Sequence, residues 1–143
     1  MAGVIPTMRV SDMAARLAFY LDQLGFSLER GGPTSDNCAL QRGDARLMVE
    51  VAGDLYSPGY NDAIRKRIGT PSAVALYIEA QDVDALHERL TGSGANIVDP
   101  LADRPWGQRE FTVADPDGNW FTFWRASDAG PLKPPNPTDL PDR

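Results

Sequence analysis

The chain is short of several things at once, and each shortage removes a class of protein. Among 143 residues there is a single cysteine, Cys38, so no disulfide can form within the chain. A disulfide-stapled secreted scaffold is thereby excluded, and a reducing, cytoplasmic setting is expected. No apolar run approaches the roughly 18 residues that cross a bilayer, so no membrane helix is expected. Met1 to Val10 lacks a basic stretch followed by a long apolar one, the pattern of a secretory leader. Basic residues cluster only at Arg65-Lys66-Arg67, too short a patch for a nucleic-acid partner. The formal charge is −6, which serves solubility and favours a cationic ligand over an anionic one. What is present is an apolar share of 42%, enough for a packed interior in a chain the size of one domain.

Periodicity gives the order of elements. Val4 to Val10 reads as a strand. Ser11 or Asp12 caps a helix whose apolar side is Leu17, Tyr20, Leu21 and Leu24, and Gly25 stops it. Phe26 to Arg30 is a strand, Gly31-Gly32-Pro33 a turn, and Cys38 to Gln41 and Arg46 to Val51 two strands around Arg42-Gly43-Asp44. Cys38 is a buried packing residue there and not a nucleophile. Ala52 to Ser72 is polar and reads as a linker with a short helix near Asn61 to Ile68. The plan then recurs. Ala73 to Glu79 is a strand, and Asp82 caps a helix carrying Val83, Leu86 and Leu90. Asn96 to Val98, Arg109 to Ala114 and Trp120 to Arg125 are strands, the last two joined by Asp115-Pro116-Asp117-Gly118. The lone histidine, His87, falls in the second helix and is expected to face solvent.

Both halves follow strand, helix, three strands, with Asp12 and Asp82 at corresponding points, and internal repetition of this kind governs the fold. Module one spans about 3–52, the linker 53–72 and module two 73–127, together a single domain, 1–127. Each half is too small to bury its sheet alone, so two curved sheets facing a cleft are expected. The segment 128–143 has five prolines in sixteen residues and is expected to be a disordered or extended tail.

Two groups of motifs resemble a known superfamily. Ile5-Pro6-Thr7-Met8-Arg9-Val10-Ser11-Asp12, then Phe19-Tyr20 and Leu24-Gly25-Phe26, is similar to the opening of glyoxalases and bleomycin-resistance proteins. Pro105-Trp106-Gly107-Gln108-Arg109-Glu110-Phe111, then Asp115-Pro116-Asp117-Gly118-Asn119, resembles their final hairpin, most nearly that of the bleomycin-resistance branch of these vicinal oxygen chelate proteins. The resemblance covers about residues 4–125. It implies an α+β fold of two βαβββ modules with curved, mostly antiparallel sheets around a cleft, and commonly a homodimer.

Many such relatives hold a divalent metal through His, Gln and Glu. The resemblance places those ligand positions on Ile5, Met48, Ala73 and Thr122, with Glu50 within reach of a shifted register. Three of the four lack a hard donor and the fourth is a poor one, so no metal and no cofactor are expected. Strand alternation sends Arg9, Glu50, Tyr77, Trp120, Thr122 and Trp124 to the cleft, and Phe121 and Phe123 towards the helices. Trp106, on a turn stiffened by Pro105 and bent at Gly107, is a ligand platform or a plug in its own barrel. Arg9 and Glu50 pair with each other or orient a ligand. Tyr56 and Tyr60 are a lid, a dimer contact or surface decoration. The leading reading is a metal-free protein that sequesters a small planar or cationic molecule, as in antibiotic resistance. The competing reading is a lyase, isomerase or dioxygenase, either metal-free with Arg9, Glu50 or Tyr77 as acid or base, or metal-dependent through unrecognised ligands.

Overall fold

The computed structural model describes residues 3–70 and 73–128. The expected proline-rich tail beyond Asp128 lies outside them. No helix among the described residues is long and apolar enough to cross a membrane. The chain forms two compact units, one running to Ala73 and taking in Asp115–Asn119, the other Val74–Ala114 continuing from Trp120.

The first unit contains β1 (Thr7–Val10), α1 (Met13–Ala18), β2 (Ser27–Arg30), β3 (Asn37–Arg42), β4 (Ala45–Val51) and α2 (Pro58–Arg67). Its sheet runs β1-β4-β3-β2, with β1 parallel to β4 and the other pairs antiparallel. This is the expected βαβββ module. Asp12 caps α1 by accepting from the Ala15 amide at 3.0 Å. The helix then widens into a π-helical turn, Phe19–Gln23, closed by the Leu24 amide on the Phe19 carbonyl. Val10, Leu17, Tyr20, Leu24, Cys38, Leu40, Leu47 and Val49 are buried together on the helix side. Cys38 is a packing residue, as expected, its thiol pushed up mainly by burial.

The turn Asp115–Asn119 belongs to this unit and is far more than a connector. The Asp115 carboxylate accepts from the Asp117 and Asn119 amides and, at 2.6 Å, from the buried Tyr20 hydroxyl. Asp117 pairs with Arg16 at 2.9 Å, and its carbonyl takes the Gly69 amide. Burial raises the Asp115 carboxyl above its ordinary range and holds the Tyr20 phenol well above its own.

The second unit repeats the plan with β5 (Ala75–Glu79), α3 (Val83–Gly92), β6 (Asn96–Asp103), β7 (Gln108–Ala114) and β8 (Trp120–Ala126). Its order is β5-β8-β7-β6, with β5 parallel to β8. Ile78, Val83, Leu86, Leu90, Phe111, Val113, Phe121 and Phe123 are its buried apolar core.

Three expectations need correction. The linker helix starts earlier than Asn61, at Pro58, because Ser57 accepts from the Tyr60 amide as N-cap and Pro58 fits the first turn. Strand β6 does not end at Val98. It continues to Asp103 through Pro100, which an edge strand with register shifts tolerates. His87 is half-buried with its ring 5.0 Å from that of Phe111, since it lies four residues after buried Val83 on the sheet-facing flank of α3.

Candidate functional site

In the second unit, alternation separates the two faces of the sheet. Cross-strand partners Tyr77↔Thr122↔Thr112 and Glu79↔Trp124↔Glu110 share the face opposite α3, as do Ala75 and Trp120. Tyr77, Trp120, Thr122 and Trp124 therefore stand on one face of this sheet. Thr122 is 1% exposed and shares a 2.7 Å hydroxyl bond with Thr112. Trp120 and Trp124 are half-buried.

Trp106 sits on a turn closed by the Gly107 amide on the Arg104 carbonyl, 3.0 Å, with Gly107 at φ 88°. The Ser127 amide also holds the Gly107 carbonyl, at 2.8 Å. This turn delivers the half-buried indole to the same face, where Nε1 donates to Glu110 Oε1 at 2.9 Å. The Tyr77 hydroxyl donates to the same carboxylate, 2.8 Å to Oε2 and 3.0 Å to Oε1. Glu110 is fully buried, whereas Tyr77 is 51% exposed, so its ring stays open to solvent while its hydroxyl is tied down. Glu110 was read in the sequence only as part of an Arg-Glu-Phe string. The parity that placed Tyr77 and Trp120 would have placed it too, two residues before Thr112 on β7.

In the first unit, Arg9 and Glu50 are register partners on β1 and β4. Their side chains pair, with Arg9 Nε facing Glu50 Oε2 at 3.3 Å without hydrogen-bond alignment. Glu50 also accepts from the Tyr56 hydroxyl at 2.7 Å and from Asn37 Nδ2 at 3.1 Å. The Arg9 guanidinium donates to the Tyr60 hydroxyl at 3.1 Å and lies 5.7 and 5.6 Å from the Tyr56 and Tyr60 ring centroids. The bond to Glu50 raises the Tyr56 phenol. Tyr56 and Tyr60 are thus not surface decoration, since they hold the start of α2 to this polar pair. Beside them a groove of about 350 Å³ opens between Thr7, Arg9, Ile64, Ile68 and Asn119.

The four positions that would carry metal ligands hold a hydrocarbon at Ile5, a thioether at Met48, a methyl at Ala73 and a hydroxyl at Thr122. Met48 Sδ accepts from an Arg30 nitrogen at 3.7 Å. Among the described residues no three of His, Cys, Asp and Glu gather as a metal site requires. The residues present do not fit a divalent ion.

Two βαβββ modules, each a four-stranded sheet with a helix on one face, define the glyoxalase class of fold. The chain belongs to the Glyoxalase/Bleomycin resistance protein/Dioxygenase superfamily, whose model matches residues 4–123. It is 30% identical over 129 residues to a bleomycin resistance protein of Geobacillus stearothermophilus, covering 85% of this chain and 94% of that one. An uncharacterised protein of Mycobacterium bovis is 43% identical over 123 residues, covering 82% of this chain and 79% of the relative. Among solved structures, TioX from Micromonospora sp. ML1 matches with TM-score 0.68 and 26% identity, over 88% of this chain and 99% of that one. The bleomycin-binding protein of Streptomyces verticillus, solved with copper(II)-bleomycin, matches with TM-score 0.54 and 29% identity, over 86% and 94%.

Proposed function

We propose that this protein binds a planar organic molecule of the bleomycin type on the aromatic face of its second sheet, in the cytoplasm, and sequesters it without chemistry. The observation that carries the reading is the platform itself. Trp106 and Tyr77 both donate to one buried carboxylate, with Trp120 and Trp124 on the same face. Rigid aromatic area binds flat ligands with little side-chain entropy to lose. The resistance and bleomycin-binding relatives support the ligand class. A metal-free enzyme is the weaker alternative, because the oxygens of Glu50, its best general base, are engaged by Arg9, Asn37 and Tyr56.

The test is calorimetric titration of the purified protein with bleomycin, alongside Trp106→Ala. The expected result is saturable binding that weakens about tenfold or more in the variant, a factor worth roughly 1.4 kcal/mol, with the fold intact. A strongly lowered melting temperature with unchanged affinity per folded molecule would make Trp106 a structural plug. Turnover of the bound ligand would move the protein to the enzyme reading.

A further inference from the structure

We infer that Glu110 is the positioning residue of the aromatic face, a buried bracket that fixes the orientations of Trp106 and Tyr77 so that together they form one ligand platform. The inference rests on the proposed binding site only in saying what the platform is for.

The first ground is energetic. Burying a carboxylate is costly, and an apolar side chain of similar volume at a fully buried sheet position is often neutral or stabilising. A residue needed only for packing at this point would be leucine or valine. A carboxylate earns its place by what it accepts, and here it takes the Trp106 indole N–H on Oε1 and the Tyr77 hydroxyl, which lies 2.8 Å from Oε2 and 3.0 Å from Oε1.

The second ground is geometric. Tyr77 is on β5 and Glu110 on β7, with β8 between them, so their strands are roughly 9–10 Å apart across the sheet. The bond between them has to pass over β8, where the register partner of Tyr77 is Thr122. The register partner of Glu110 on β8 is Trp124, so the bond runs diagonally, and a small residue at 122 leaves room for the phenol to cross. Trp106 reaches the carboxylate from the other direction, out of the turn that precedes β7. An indole bound through Nε1 has its in-plane direction set, with the opposite edge turned away from Glu110. Two aromatic side chains from separate elements are therefore locked by one acceptor, which lowers the ordering cost of binding a ligand on them.

The experiment uses the full chain, ¹⁵N-labelled, with the Trp106 indole resonance assigned through Trp106→Phe. Two variants separate the roles of the residue. Glu110→Leu removes both bonds while keeping an apolar filling. Glu110→Gln keeps an acceptor for Trp106 and can donate to the Tyr77 oxygen, without the charge. The Trp106 indole N–H is expected to be protected from exchange in the wild type and in Glu110→Gln, and to lose that protection at least tenfold in Glu110→Leu. Bleomycin affinity, measured by titration, is expected to fall tenfold or more in Glu110→Leu and to stay within about threefold in Glu110→Gln.

Unchanged protection in a folded Glu110→Leu overturns the inference. So does a Glu110→Gln protein whose indole stays protected while affinity falls as far as in Glu110→Leu, since the carboxylate would then act on the ligand by charge. Should Glu110→Leu not fold, Glu110→Gln decides alone: retained protection supports the bracket and lost protection overturns it. A wild type that does not bind bleomycin defeats the proposed ligand class and leaves the exchange measurement to decide the bracket.

Discussion

Asp115 shows how much a single carboxylate can organise. It ties the turn Asp115–Asn119 to itself through the Asp117 and Asn119 amides and, within the first unit, accepts from the Tyr20 hydroxyl. Removing the Tyr20 hydroxyl leaves a buried charged acceptor short of one donor, so Tyr20→Phe is expected to cost about 1–3 kcal/mol in urea unfolding. The pH dependence has opposite signs at two aspartates. Burial raises Asp115, so the native state holds its proton to higher pH than the unfolded chain does. Its contribution therefore becomes less favourable as pH rises from 3.8 through the folded value. Asp84 is lowered by its bond to Arg109, so it stabilises above 3.8 and that contribution is lost as pH falls through its folded value. Asp84 is half-exposed, so Asp84→Asn should produce only a small loss at neutral pH, vanishing in strong acid and shrinking in salt. Residue-level legibility was uneven for a physical reason. Alternation alone put Arg9 and Glu50 on one face, and they pair. Parity puts Glu110 on the aromatic face, but a lone charged residue on a strand reads as solvent-facing, and Tyr77, the partner that ties it across the sheet, lies on another strand.

The clearest lessons at the level of elements are the turns and edges. Asp-Pro-Asp-Gly is an ordinary turn by sequence, and nothing local says what it will meet. Here Gly118 has φ 92°, and a Cβ added to it would lie 2.3 Å from the Thr70 carbonyl oxygen, a backbone atom that cannot swing aside. Gly118→Ala should therefore lower stability by roughly 1–3 kcal/mol for the backbone conformation, with the clash adding to it. Calorimetric melting measures this, and an unchanged melting temperature would mean that the turn does not press on residue 70. The cores of α1 and α3 were readable because apolar residues at helical spacing next to glycine stops leave few alternatives. The full length of α2 was not, because a polar helix carries no such signal and only Ser57-Pro58 marks its start. Strand β6 was read short because Pro100 looks like a terminator, whereas at a sheet edge its missing amide has no ladder partner to lose.

At the scale of the whole molecule, the repeated plan was the most legible feature, since two runs of strand, helix and three strands leave little choice of architecture. Assembly is a separate matter. Each sheet has four strands and one helix-covered face, with β1 and β2 at the edges of the first and β5 and β6 at those of the second. Sheet edges are what a partner chain covers, and a homodimer is expected on that ground, with the aromatic face of the second sheet left to the ligand. Light scattering should give twice the mass of 15.6 kDa at micromolar concentration. Because a dimer gains stability by mass action, its melting temperature should rise with protein concentration. Each chain carries a net charge of −6, so two chains repel over distances that salt screens. Association should therefore tighten from low to moderate ionic strength, the reverse of an interface held mainly by ion pairs. A single-chain mass with a melting temperature independent of concentration would remove the dimer. A dimer that loosens as salt rises would keep it but assign its interface to opposite charges instead of covered edges and apolar area.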